Sequence, residues 1–290
     1  MEEGRPSMTA QLVAGLRAGH HESGERPLVF EDPFAAAFTG SLFLEPLERG
    51  GLQAMLDGLG LQPIQGGILG RARYAEDALE AALREVGVRQ LVILGAGNDS
   101  FLLRRPDLLE RLEVFELDHP SSQAAKRETL RRLGFAGHPH AHFVGVDFER
   151  ESAGLALLRG GFERSLPAFF NWLGVVTYLS RDALFSTLRS LREVAAEESR
   201  VVFDYPIAPH LLRLEDRARA EEVSRSTALF GEPRTAKHVP EELFREVCSL
   251  GYQVIEDLSP ARHFERYFAG RRDGLRPNPE VHLLQLRMRA

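Results

Sequence analysis

Cysteine occurs once in the 290-residue chain, as Cys248. An internal disulfide is excluded, and so is a cluster of thiolate metal ligands. Cys248 falls in a helical apolar pattern and is expected to be a small buried apolar residue. Lysine is almost as scarce: Lys126 and Lys237 are the only two, and arginine carries the rest of the positive charge. The formal net charge of −6 leaves no basic footprint for nucleic acid. No apolar run reaches the roughly 18 residues that a membrane span requires. The opening MEEGRPSMTAQLV is acidic and lacks the apolar core of a secretion signal. The expectation is a cytoplasmic protein with neither membrane nor nucleic-acid partners. With 43% hydrophobic and 27% charged residues, the composition is globular, and the length suits one large domain or one domain with a cap.

Glycine is well placed rather than abundant. In LVILGAGND (91–99), four apolar residues run into Gly95 and Gly97. That is how a strand buried on both faces ends in a turn whose bare backbone can approach a ligand. A second apolar run, VFELD, ends in Asp118, 21 positions after Gly97 (118 − 97). The gap is close to the roughly 20 residues between a glycine turn and the acid that bonds a ribose. The pair predicts nucleotide binding. The third glycine of a dinucleotide fingerprint is missing, because Ser100 holds its place. Asp99 would put negative charge where a pyrophosphate sits at a helix start. A cationic ligand without phosphate suits the turn better, which favours S-adenosylmethionine over NAD.

Strand and helix patterns then alternate. Helices are expected over 9–18, from Pro33, over 68–86, 120–133, 152–159, 181–196 with Ser180 as cap, 211–226, 240–250 and 262–268. Strands are expected at 91–94, 114–118, 141–146, within 167–179, at 200–205, and in the two final runs YQVIEDL and VHLLQLRMR. Five β-α repeats imply a parallel sheet with right-handed crossovers. Residues 1–66 read as an N-terminal helical cap segment, 67–290 as the core, and 206–239 as a cap insertion. Arg71 and Arg73 lie early in the 68–86 helix, where cations oppose the helix dipole. Binding a carboxylate ligand would explain them; pairing with Glu76 or Asp77 is the plain alternative.

The ordered set RARYAEDAL, LVILGAGND, VFELDHP, FVGVDFE, FFNWLGVVTYLSRDAL and VVFDY resembles the leucine carboxyl methyltransferase-like family of S-adenosylmethionine-dependent methyltransferases. GEPRTAKHVPEEL and RYFAGRRDGL resemble the tail of its bacterial branch. The resemblance implies an α/β fold: a Rossmann-like class I methyltransferase with a mostly parallel seven-stranded sheet, helices on both faces and a helical cap. Carried over by position, Arg73 would hold the methionine carboxylate, with Arg71 beside it. Gly95 would meet the methionine end, Asp118 the ribose, and Asp147 and Phe148 the adenine. Tyr178 would sit at the junction of cofactor and acceptor as the catalytic candidate. Trp172 and Leu173 occupy a cofactor-side segment that often carries an acid in the family. That acidic contact is therefore missing here.

The implied activity is O-methylation of a carboxylate or hydroxyl of a small-molecule acceptor. A protein C-terminal carboxylate is the alternative acceptor. An NAD(P) oxidoreductase or a non-catalytic cofactor-binding module is the alternative class. If a general base is needed, His20, His21, His210 and His238 are the candidates, each expected at the surface. Arg225 and Arg234 are expected to be solvated cap residues rather than substrate ligands.

Overall fold

A computed structural model describes residues 8–148, 150–228 and 236–289. In chain order these form α1 (Met8–Ser23), α2 (Ser41–Glu48), α3 (Leu52–Gly58), α4 (Gln62–Glu85), β1 (Gln90–Leu94), α5 (Phe101–Arg104), α6 (Pro106–Leu109), β2 (Glu113–Asp118), α7 (Pro120–Arg132), β3 (Ala141–Gly145), α8 (Ala153–Arg159), β4 (Ala168–Trp172), α9 (Arg181–Val194), β5 (Arg200–Pro206), α10 (Leu214–Ala228), α11 (Pro240–Ser249), β6 (Tyr252–Leu258), α12 (Pro260–Tyr267) and β7 (Val281–Met288).

The seven strands make one sheet in the order β3-β2-β1-β4-β5-β7-β6. The first five are mutually parallel, and β7 runs antiparallel to both β5 and β6. This is the mostly parallel seven-stranded sheet that the repeats imply. All five residues of β1 are buried, as a central strand covered on both faces must be. Val92 and Leu94 pack into one core layer with Phe115, Phe170 and Leu188. Leu91 and Ile93 pack into the other with Tyr74, Leu79 and Phe169. The strand order reverses between β1 and β4, so the crevice for a ligand opens at the carboxyl ends of those strands.

Several expectations are corrected. Asp32-Pro33 does not open an α-helix: Asp32 Oδ1 accepts from Phe34 N (3.2 Å), and the chain makes only a 3-10 turn at Ala35–Phe38. The 68–86 helix starts earlier, as α4, so the 66/67 boundary falls inside a helix. Tyr178 does not end a strand. β4 stops at Trp172, Gly174 turns the chain at φ +71°, and Tyr178 closes a 3-10 turn. Cys248 is exposed. On α11 the buried residues are Leu243 and Val247, and one step of about 100° carries Cys248 away from them. His20 and His238 are buried, not at the surface. His20 lies within α1, which runs past Gly19 to Ser23, and its Nε2 accepts from Val29 N at 3.2 Å.

Candidate active site at the carboxyl ends of β1, β4 and β5

The turn after β1 is held by main chain. The amides of Gly95 (φ +67°) and Ala96 both donate to Leu117 O, at 2.8 and 3.1 Å. The Gly97 amide donates to Asp118 Oδ2 at 2.5 Å, and His119 N donates to Oδ1 at 2.6 Å. Asp118 is thus anchored at the tip of β2 beside the glycine turn, where the sequence spacing placed it. The φ values of Gly95 and Gly97 (+46°) lie in the left-handed region that favours glycine.

The second half of the site comes from β4, β5 and α4. Gly174 N donates to Asp204 Oδ1 (2.5 Å), and Arg71 Nη1 donates to Asp204 Oδ2 (2.9 Å). A Cβ built on Gly174 would lie 2.5 Å from Arg71 Nη2, so the guanidinium lies directly over bare backbone. Asp204 is buried while a fifth of the Arg71 side chain remains accessible. An acid does stand at this turn, but β5 supplies it rather than the 172–174 run. Nothing local in VVFDY distinguishes Asp204 from a strand-end acid. Only the β4–β5 register brings it to Gly174.

The other candidates are dispersed. Arg73 Nε donates to Asp77 Oδ1 at 2.8 Å, and Tyr267 OH donates to the other oxygen of Asp77. Arg73 therefore faces α12 rather than Asp204. Asp147 and Phe148 follow β3; Asp147 pairs with Arg150 at 3.3 Å, and Phe148 is largely exposed. Trp172 is a core residue, edge-on to Phe203. Leu173 packs against the core layer on the α4 side. Tyr178 is half-buried beside Thr177, whose carbonyl accepts from Ala236 N at 3.2 Å.

Of the histidines, His210 is exposed, whereas His238 is buried against Tyr205 at the end of β5. Neither ring nitrogen of His238 has a hydrogen-bond partner among the described residues. Burial, helped by Arg181, lowers its pKa, so the ring is held neutral. Arg225 is exposed, and Arg234 lies outside the described residues. Asp99 accepts from Phe101 N at 2.7 Å and heads α5. Burial opposes its charge, but Arg104, Arg17 and Lys126 outweigh burial and hold the carboxyl below the ordinary range. Among the described residues no group of three His, Cys, Asp or Glu side chains is placed to hold a metal ion. No helix among them is long and apolar enough to cross a membrane.

Just beyond β5 lies a cavity of about 420 Å³. Ile207, Leu212, Phe264 and Pro277 give it apolar walls; Arg219 and Arg276 are among its polar groups. Ile207 follows Asp204 by three residues, which is roughly 10 Å of extended chain.

The sheet order, the glycine turn tied to an acid at the next strand tip, and the ligand crevice at the strand reversal define a Rossmann-like methyltransferase. Residues 10–192 match the family model described as leucine carboxyl methyltransferase. A Bacillus subtilis protein provisionally named an S-adenosyl-L-methionine-dependent methyltransferase is 28% identical over 98% of both chains. A similarly named protein of Mycolicibacterium paratuberculosis is 35% identical over 68% of this chain and 64% of its own length. Two solved structures share the fold. A protein of Thermobifida fusca, provisionally titled a methyltransferase, has TM-score 0.61 and 14% identity, covering 100% of this chain and 97% of its own. A Streptomyces avermitilis DUF574-family protein has TM-score 0.59 and 15% identity, covering 94% of this chain and 96% of its own. The chain belongs to the leucine carboxyl methyltransferase family and is an S-adenosylmethionine-dependent methyltransferase.

Proposed function

We propose that the protein transfers a methyl group from S-adenosylmethionine to an oxygen, carboxylate or hydroxyl, of a small molecule. The observation that carries this reading is the pairing of two anchored features at one crevice: Asp118 on the Gly97 amide, and Arg71 on Asp204 over Gly174. The site fits the cofactor. Asp118 can accept from ribose hydroxyls, and Arg71, held over Gly174 by Asp204, can receive a carboxylate. A positive ligand also suits a turn flanked by Asp99 and Asp118.

When bound, the cofactor supplies an electrophilic methyl on a sulfonium. The chain's part is alignment and exclusion of water. A carboxylate acceptor is already ionised at neutral pH, titrating near ~4, and needs no base. Holding it in line with the methyl is then the main source of rate. Burial helps as well, because unlike charges cancel as the bond forms and a dry site favours that step. A hydroxyl acceptor needs a base. His238, neutral and without a ring hydrogen-bond partner among the described residues, is the histidine we assign to that role. Tyr178, in the turn between β4 and α9, is the residue we place at the acceptor junction. The cavity beside Ile207 has the size of a small-molecule site and supports such an acceptor.

The test is transfer of labelled methyl to a panel of carboxylic acids, phenols and a peptide ending in leucine, followed by mild alkali. Alkali-labile label on a small acid supports the carboxylate arm, and alkali-stable label on a phenol supports the hydroxyl arm. Label on the peptide alone would replace the small-molecule reading by the one in the family's name. Calorimetric binding of NADH but not S-adenosylhomocysteine would end the reading altogether.

A further inference from the structure

The glycine turn does not rest on the sheet alone. A buried cluster of charges lies against it, and the N-terminal segment supplies two of its members, Arg17 and Asp32. Arg17 on α1 donates from Nη2 to the Asn98 carbonyl at 2.6 Å. Its Nη1 lies 3.4 Å from Asp32 Oδ2, and the two side chains are 5% and 0% exposed. Asp32 Oδ2 accepts from Ser100 Oγ at 2.7 Å, and Ser100 Oγ accepts from Arg104 Nε at 2.8 Å. Arg104 is also held by Glu76 of α4 at 2.7 Å. The Asn98 side chain donates to the Phe38 carbonyl at 2.8 Å. Ala10 lies beside the turn, where a Cβ on Gly97 would be in ordinary contact with the Ala10 Cβ at 3.5 Å. Asn98 and Ser100 are thus held by hydrogen bonds to Arg17, Phe38 and Asp32, and Gly97 lies beside Ala10.

A glycine turn is intrinsically loose, and ordering it on ligand binding opposes affinity. Restraint imposed in the free protein removes that penalty. Arg17 and Arg104 both lie within 4 Å of the fully buried Asp32 carboxylate, and such buried ion pairs gain little stability by themselves, since apolar residues of similar size often serve as well. We infer that Arg17 and Asp32 are positioning residues: with Ser100 they set the glycine turn in its binding geometry and so set cofactor affinity. This rests on the reading that the turn holds the nucleoside.

The experiment uses the full chain with Ser100→Ala, Arg17→Lys and Asp32→Asn. S-adenosylhomocysteine affinity is measured by calorimetry, cofactor KM and kcat are measured separately, and amide exchange of residues 95–100 is followed without ligand. Ser100→Ala removes one hydroxyl and is the mildest change for folding. It is expected to weaken S-adenosylhomocysteine binding roughly tenfold, about the value of one hydrogen bond to a charged group. Cofactor KM rises in step, kcat at saturating cofactor stays within about twofold, and exchange at Gly97 and Asn98 quickens at least tenfold. A purely structural cluster would instead lower the melting temperature of all three variants, with affinity, KM and turn exchange within twofold of wild type; that result overturns the inference. Quickened exchange with unchanged affinity also overturns it. Failure of the wild-type protein to bind S-adenosylhomocysteine would instead refute the parent reading.

Discussion

Arg71 and Asp204 stand 133 positions apart in the chain and meet at 2.9 Å over the Gly174 backbone. The contact links α4, β4 and β5 at one corner of the crevice. Asp204 is expected to fix the guanidinium so that a ligand carboxylate meets it preformed. Asp204→Asn should weaken S-adenosylhomocysteine binding at least tenfold. It should also destabilise the protein by ~2 kcal/mol, because it leaves Arg71 partly buried without its anion. Calorimetry and a thermal melt check both. Arg71→Gln should lose affinity similarly. Arg73→Gln should change it less than twofold, since Arg73 is engaged with Asp77 on the α12 side. A larger loss in Arg73→Gln than in Arg71→Gln would reverse the assignment.

Asp118 offers a second, separable test. Its carboxylate accepts from the amides of Gly97 and His119, so it both braces the turn and presents acceptor oxygen to a ribose. Asp118→Ala is expected to raise the S-adenosylhomocysteine Kd roughly 10- to 100-fold, the range for losing one or two hydrogen bonds to a charged acceptor. Binding that survives intact would remove its ribose role.

Trp172 lies in the cofactor-side segment by family position, yet its surroundings are those of the core. It is buried and edge-on to Phe203. Trp172→Ala should destabilise by ~3–5 kcal/mol through the cavity it leaves. Trp172→Phe should be far milder and retain cofactor affinity. Loss of affinity without loss of stability in Trp172→Phe would restore a direct cofactor contact.

Acid sensitivity should report the buried histidines, and His20 and His263 carry the largest shifts among them. Burial, with Arg271 as the next contribution, lowers His20 from 6.5 to about 4. Burial likewise lowers His263 to about 4. In both, the folded-state pKa lies below the unfolded value, so the folded chain binds fewer protons between pH 4 and 6.5. The stability they confer is complete above pH 6.5 and is lost as pH falls from 6.5 to 4. The loss is at most roughly 3 kcal/mol for each ring. Denaturant melts across that range should show the slope. His20→Gln should lose its own share of it, and an unchanged slope in that variant would discharge His20 from the effect.

Much of this architecture was legible because its signals are local. LVILGAGND shows a buried strand and its turn within nine residues, and Ser180 caps α9 as its position suggests, accepting from Ala183 N at 3.2 Å. Where local patterns failed, longer-range contacts had taken over. Asp32-Pro33 resembles a helix start, but the Asp32 carboxylate is committed to Ser100, 68 positions away. VVTYL reads as strand from its apolar run, but Gly174 turns the chain before it and Val176 is buried within a turn instead.

The α/β repeat, the glycine turn and the acid that follows it are written in the chain's local pattern, since each depends on neighbours a few residues apart and on the strand-helix period. Packing of the whole chain set Arg71 against Asp204 and Arg73 against Asp77, brought Asp204 to Gly174, and carried Arg17 and Asp32 to the glycine turn. Those outcomes depend on strand order and on how α1 and α4 dock. A charge's partners across a packed interior follow from that docking and not from its place along the chain.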